Sequence, residues 1–72
     1  MDYRERMKAE YTELKDRYNK LHKILVKYEA GTLDFGLDCP PELLYRQKKA
    51  MEEYLFCLEI RAEIEHVDLI GA

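Results

Sequence analysis

The stretch that decides the fold is ELLYRQKKAMEEYLFCLEIRAEIEH, residues 42–66. Gln47, Tyr54 and Arg61 are spaced by sevens in it, so they lie along one face of a helix. The remainder of that face is apolar and consists of Leu43, Leu44, Ala50, Met51, Leu55, Cys57, Leu58, Ala62 and Ile64. An arginine in the middle of a wide apolar face is the strongest anomaly in the sequence.

The width of this apolar arc predicts self-association. The arc covers about half the circumference of the helix, and Phe56, Ile60 and Val67 lie outside even that arc. A single partner helix does not cover so much apolar surface. The chain has 72 residues, and chains this short often need oligomerisation for stability. The predicted fold is therefore all-α: an antiparallel two-helix hairpin that assembles into a homo-oligomeric helical bundle, a homodimer or a homotetramer.

A second amphipathic pattern precedes this stretch, so residues 1–72 are predicted to form a single helical-hairpin domain. Helix 1 is expected at about 2–30, with two interleaved apolar rows. The rows are Met7, Leu14, Leu21 and Tyr28, and Arg4, Tyr11, Tyr18 and Leu25. Gly31 is the expected helix stop and residues 31–40 are the expected connection. Helix 2 is expected at about 41–67, with proline at its first position.

The two ends of helix 2 carry further expectations. Leu33, Phe35 and Leu37 are too apolar for a free linker and are expected to cover one end of the helix pair. The terminal residues 67–72 are also apolar, and they are expected either to pack across a subunit boundary or to fray.

Several classes of function are disfavoured by composition. The formal net charge of −3 argues against binding to a nucleic acid polymer or an anionic membrane. No run approaches the roughly 20 apolar residues of a membrane span, and a cytoplasmic location is the expectation. Cys39 and Cys57 lie about 25 Å apart if most of the intervening chain is helical, so no disulfide between them is expected. No cofactor is predicted.

Catalytic and metal sites are also disfavoured. The sequence has no Ser, and it shows neither a nucleophile–base pair nor a glycine-rich phosphate loop, so an enzyme is not expected. Glu63-x-x-His66 has the spacing of a carboxylate-bridged metal site, but helix 1 offers only Asn19-x-x-His22 as its counterpart. A metal site is therefore not predicted, and His66 is expected in the last turn of the helix.

Two interpretations of the Gln47, Tyr54 and Arg61 line stay open. In the first, Arg61 forms an interface salt bridge with Glu65 or with a glutamate of another copy. In the second, the line is one wall of a ligand site between subunits, where a guanidinium holds phosphate oxygens and a tyrosine ring stacks on a base. Hairpin closure is expected to bring Arg61 close to a basic edge of helix 1. That edge consists of Arg4, Lys8, Tyr11 and Lys15.

The six tyrosines divide between core and ligand roles. Tyr11, Tyr18 and Tyr28 lie in the apolar rows of helix 1, where core packing is the expected role for most of them. Buried tyrosine hydroxyls need hydrogen-bond partners, which favours positions at an edge. Tyr3, Tyr11 and Tyr54 are the candidates for ligand contact.

Two segments carry a resemblance to a known group. They are Tyr3-Arg4-Glu5-Arg6-Met7 with Glu10-Tyr11, Glu13-Leu14-Lys15, Arg17 and Lys20-Leu21, and Gln47 with Ala50-Met51, Tyr54-Leu55, Leu58-Glu59 and Arg61. In both helices the chain resembles small helical-hairpin proteins of tailed phages, common in crAss-like gut phages. These are related to the nucleotide sponges of anti-CBASS and anti-Thoeris immune evasion.

The resemblance implies a function. It implies a dimer or tetramer in the host cell cytoplasm that binds a cyclic nucleotide defence signal, such as 3',3'-cyclic GMP-AMP, between subunits without cleaving it. The ligand-binding residues would be Arg4, Lys8, Tyr11, Lys15, Gln47, Tyr54 and Arg61. The alternatives are a protein-interaction module that binds a host or phage protein through the apolar face of helix 2, and a structural bundle.

Overall fold

A computed structural model describes residues 2–69 of the chain. It contains two α-helices, α1 (Tyr3–Ala30) and α2 (Pro41–Glu65), and no strand within those residues. The prediction of an all-α chain with two long helices is confirmed. The 28 residues of α1 extend about 42 Å at 1.5 Å per residue. The longest dimension of the molecule is likewise 42 Å, so a single helix sets its length.

Capping residues stand at both ends of α1. The Asp2 carboxylate accepts a hydrogen bond of 3.0 Å from the backbone N–H of Arg4, which satisfies a donor of the first turn. Gly31 adopts the left-handed conformation with φ of 75°, and its N–H bonds the Tyr28 carbonyl at 3.2 Å. Glycine adopts this conformation without steric cost, so α1 ends at the predicted stop.

Helix α2 ends two residues earlier than predicted. His66 is left-handed, with φ of 58°, and its N–H bonds the Ala62 carbonyl. The Val67 N–H bonds the same carbonyl at 2.8 Å. The chain thus turns at His66, and Val67 folds into the core with only 8% of its surface exposed. The helix stops two residues short of the expected end at about 67 because this turn satisfies the last carbonyls and returns an apolar side chain to the core.

The two helices pack antiparallel against each other. Tyr11 contacts Glu59, Tyr18 contacts Glu52 and Tyr45 contacts Glu29, so ascending positions in α1 meet descending positions in α2. The core cluster between them is built from Met7, Tyr11, Leu55, Leu58, Ala62 and Val67, with Leu14, Tyr18 and Leu69 packed against it. Leu58 is the most deeply buried, at 1% exposure. Leu21 and Leu25 are buried further along α1, whereas Tyr28 is 41% exposed.

The chain segments outside the helices cover the ends of the pair only in part. Leu33 and Leu37 of the connection are half-buried, as expected, but Phe35 is 55% exposed. At the other end, Val67 and Leu69 pack on the core of their own chain. Residues 70–72 of the predicted apolar terminus lie outside the described residues.

Shortening Leu58 tests the core directly. We expect Leu58→Ala to lower the free energy of unfolding by about 2–5 kcal/mol, because it leaves a cavity between the helices. Val26→Ala is the control, since Val26 of α1 is 52% exposed and lies outside the exposed apolar surface of α2. It should change stability by no more than about 0.5 kcal/mol in chemical denaturation followed by circular dichroism. Equal losses in both variants would contradict this assignment of the core.

Candidate ligand-binding face

The wide apolar arc of helix α2 divides into a buried side and an exposed side. Leu55, Leu58 and Ala62 are buried against α1. The second side faces solvent in a spacing that alternates between four and three residues, and we call it the seam face. It consists of Leu43, Gln47, Ala50, Tyr54, Cys57, Arg61 and Ile64, all of them exposed. At about 100° per residue, the centres of the two sides are about 110° apart around the helix axis.

Arg61 lies on the seam face and pairs within its own helix. Its Nε atom is 3.4 Å from Glu65 Oε2, and the arginine side chain is 55% exposed. This is the intrachain pair that the first interpretation predicts. Exposed ion pairs one helical turn apart contribute only about 0.3–0.5 kcal/mol to stability, so this weak pair leaves the guanidinium available for another partner. The planar group remains able to hold a second anion.

Tyr54 and Gln47 lie beside Arg61 on the seam face, toward the start of α2. Tyr54 is 45% exposed, and Gln47 is also exposed. Half of a tyrosine ring in solvent leaves a flat surface on which another planar group can stack. The three residues therefore form one open line of amide, ring and guanidinium, as the spacing by sevens indicates.

The basic edge of α1 lies on the other flank of the hairpin. Tyr11 donates a hydrogen bond of 2.6 Å to Glu59, and Tyr11, Lys15 and Glu59 line one surface groove of about 510 Å³. Glu59 and Arg61 are two residues apart, which places their side chains about 160° apart around α2. Hairpin closure therefore does not bring Arg61 next to Tyr11 within one chain. The two residues lie at similar heights along the hairpin, but Arg61 is on the side of α2 that faces away from Tyr11.

The remaining candidates on α1 are dispersed along that edge. Arg4, Lys8 and Lys15 are all exposed. The guanidinium carbon of Arg4 lies 5.4 Å from the centre of the Tyr3 ring, which is a cation–π distance. Tyr11, by contrast, is 7% exposed and belongs to the core. Its role as a ligand contact stays a prediction, and its observed role is structural.

Three tyrosine–glutamate hydrogen bonds cross between the helices, and sequence reasoning missed them. Besides the Tyr11–Glu59 bond, the Tyr18 hydroxyl donates to Glu52 Oε1 at 2.7 Å, and the Tyr45 hydroxyl donates to Glu29. Two of these bonds could have been anticipated from the sequence. Tyr11 and Tyr18 lie in one of the α1 rows, and they face Glu59 and Glu52 of α2 once the helices pair. We call these three bonds the tyrosine ladder.

Electrostatics of the ladder centre on Glu52. Its carboxylate accepts from the Tyr18 hydroxyl and from Lys48 Nζ, at 3.1 Å, and these two hydrogen bonds lower the pKa of Glu52. The same carboxylate raises the pKa of Tyr18 and that of Lys48. For Tyr11, the hydrogen bond to Glu59, burial and the charge of Glu59 raise the pKa to about 12.

A further groove of about 570 Å³ lies where α2 meets the terminal segment. Its lining includes Glu59, Glu63, His66 and Asp68. Three carboxylates make this groove unsuited to a phosphate. Among residues 2–69 there is no group of three or more His, Cys, Asp or Glu side chains placed to hold a metal ion. Both cysteines are free: Cys39 is half-buried and Cys57 is exposed on the seam face.

Comparison with known proteins gives one match. A family model described as Sequestin matches residues 1–64. No curated protein and no solved structure matches the chain. Within residues 2–69, neither helix has the combination of length and apolar character that a membrane span requires.

The ladder predicts a specific dependence of stability on pH. The pKa of Tyr11 rises on folding from 10.0 to about 12, so its contribution is complete below pH 10 and is lost as the pH rises through about 12. We expect Tyr11→Phe to cost about 1 kcal/mol at pH 8, and the difference from the unmodified chain to shrink toward pH 12. Tyr3→Phe, at an exposed tyrosine, is the control for denaturation curves across this range. A difference that persists unchanged at pH 12 would contradict the proposed role of the hydroxyl.

Proposed function

The chain belongs to the Sequestin family, and from that premise we propose that it sequesters a small anionic ligand, a cyclic nucleotide used as a defence signal, between copies of itself. The family name suggests sequestration of a ligand. The observation that carries the choice of site is the exposed line of Gln47, Tyr54 and Arg61 on a face that is otherwise apolar. Guanidinium and tyrosine ring match the phosphate and the base of a nucleotide.

The oligomer follows from what the seam face leaves uncovered. Leu43 is 50% exposed and Ile64 is 71% exposed in the single chain, although both are large and apolar. Adjacent α2 residues Ile60 and Phe56 are exposed as well. Contiguous apolar surface of this kind marks an interaction site. We assign it to a homo-oligomeric helical bundle, as a dimer or a tetramer.

The basic edge of α1 has a different place in this proposal. Because Lys15 lies on the flank opposite Arg61, Arg4, Lys8 and Lys15 reach a ligand held at Arg61 only if another copy supplies them. We therefore assign the wall of the ligand site to Gln47, Tyr54 and Arg61 of α2. The α1 edge would supply cations in an assembly in which that flank of one copy meets the seam face of another, as a tetramer permits.

The mechanism is storage rather than turnover. Sites at micromolar concentration that bind a signal with nanomolar affinity lower its free concentration below what a downstream receptor needs. Among the described residues of the seam face there is no Ser or Thr, and its only hydroxyl and thiol are those of Tyr54 and Cys57. In a phage-infected cell, as the family resemblance implies, such storage would silence a cyclic nucleotide alarm in the cytoplasm.

A second candidate function rests on the same exposed surface. An α2 side with Tyr54, Phe56, Ile60 and Ile64 exposed also suits the groove of a host or phage protein. A purely structural bundle would bury that surface without any ligand. A stable monomer in solution favours the protein-interaction module, whereas an oligomer that no ligand stabilises favours the structural bundle.

A thermal-shift panel of cyclic mono-, di- and trinucleotides tests the proposal. A ligand at 100 times its Kd adds about 2.7 kcal/mol, which for a chain of this size raises Tm on the order of 10 °C. Mass measurement of the complex and release of intact ligand after heating separate storage from hydrolysis. If no member of the panel raises Tm, the proposal is wrong.

Arg61→Ala supplies the site-specific test. Loss of charged hydrogen bonds to phosphate costs about 1.5–3 kcal/mol, so the ligand's Kd should rise about 10-fold to 100-fold. Lys49→Ala is the matched control, since it removes one exposed cation of the same helix outside the seam face. Equal effects of the two substitutions would show a general charge effect and contradict the assignment of Arg61.

A further inference from the structure

We propose that the seam face is covered by the seam face of a second copy, running antiparallel, so that Arg61 of one chain lies beside Gln47 and Tyr54 of the other. This inference rests on the proposed function for the nature of the ligand. The pairing itself depends only on the described residues. It makes each ligand site composite, because neither chain by itself brings all three groups around one point.

The alternating spacing of the seam face is that of a helix–helix packing seam. Antiparallel pairing about a point between Leu55 and Phe56 places three complementary layers. Ala50 lies level with Arg61 of the second copy, Cys57 with Tyr54, and Ile64 with Gln47. Two of these layers set a small side chain against a large one, which is how seams interdigitate at a helix separation of about 8–10 Å.

Charge decides between the possible orientations. In a parallel pair every seam residue meets its own copy, so Arg61 would lie against Arg61 across a desolvated seam. The antiparallel pairing instead places Arg61 three residues along the helix from Glu53 of the second copy. The antiparallel orientation thus brings unlike charges together, whereas the parallel one opposes like charges.

Helix α1 supports the same two-fold axis independently. Glu10 and Arg17 are exposed, and their helix angles place them on the flank of α1 that adjoins the seam face. The ladder pairs Tyr11 with Glu59 and Tyr18 with Glu52, so the proposed axis crosses α1 between Leu14 and Lys15. Rotation about that two-fold axis places Glu10 of one copy close to Arg17 of the other, with their levels along the helices differing by about 3 Å. Both helices therefore become charge-complementary in one arrangement.

The arrangement specifies the sites it creates. The two Arg61 residues lie about 16 Å apart along the direction of the helices, which gives two equivalent sites and one ligand per chain. The two Tyr54 residues lie close to the centre of the seam, between the two guanidinium groups. Each guanidinium is then adjacent to a tyrosine ring of the other chain, the pair that phosphate and base would need.

Cysteine cross-linking without any ligand tests the register. In a background with Cys39→Ser and Cys57→Ser, one chain carries Gln47→Cys and another carries Ile64→Cys. We expect a short bismaleimide to link the two when mixed, because these positions share a layer. Either protein alone should not cross-link, since each cysteine lies about 25 Å along the axis from its own mate.

Two results of the cross-linking experiment would overturn the antiparallel pairing. Cross-linking of each protein with itself and none in the mixture would show a parallel pair and overturn the proposal. The Cys39→Ser chain serves as a second probe, because it retains Cys57 near the proposed two-fold axis. If neither this chain nor the mixture of the two cysteine variants forms a cross-link, the proposal is also overturned. Efficient linking of that chain through Cys57 is expected.

Charge reversal tests the proposed pair between copies. Arg61→Glu should raise the dimer Kd at least 10-fold, and adding Glu53→Arg should restore it, as measured by sedimentation. Lys49→Glu is the control and should leave the dimer Kd unchanged. Failure of the double variant to recover overturns the pairing. An intact antiparallel dimer that binds no cyclic nucleotide would instead retain the pairing and remove the proposed function, so the two failures are distinguishable.

Discussion

Contact between the helices through Leu58 and its neighbours is the interaction on which the rest of the structure depends. A two-helix chain has a single interface in which to bury apolar surface, and Met7, Leu55 and Ala62 meet Leu58 there. The segment after α2 adds Val67 to the same cluster. That addition matters in a chain of 72 residues, since small domains bury too little surface to neglect any part of it.

The tyrosine ladder adds direction to this apolar contact. Apolar packing tolerates sliding, whereas a hydroxyl that donates to a carboxylate has a defined geometry. Tyr11–Glu59 and Tyr18–Glu52 lie two turns apart on one flank and hold the helices in one longitudinal register. Glu59 and Glu52 on that flank of α2 therefore accept hydrogen bonds from α1. On the opposite flank, Arg61 pairs with Glu65 of its own helix.

This division of α2 into a bonded flank and an open flank connects fold to proposed function. The helix that supplies half of the core also presents an exposed apolar seam with one guanidinium and one tyrosine ring. A monomer gains nothing from that exposure, whereas an oligomer buries it and gathers charged and planar groups from several copies. The name of the Sequestin family, to which the chain belongs, suggests sequestration of a ligand. The proposed antiparallel pairing states which groups come from which chain.

The sequence by itself determined the two helices, their limits at Asp2, Gly31 and Pro41, the apolar rows of α1 and the Gln47, Tyr54 and Arg61 line. Each of these depends on periodicity, on a capping side chain, or on the special backbone properties of glycine and proline, all of which are local. Tertiary structure alone decided that Val67 returns to the core, that Tyr11 bonds Glu59, and that Arg61 faces away from Lys15. Periodicity specifies an angle around one helix and a position along it, but the flank on which two side chains meet depends on how both helices are rotated toward each other.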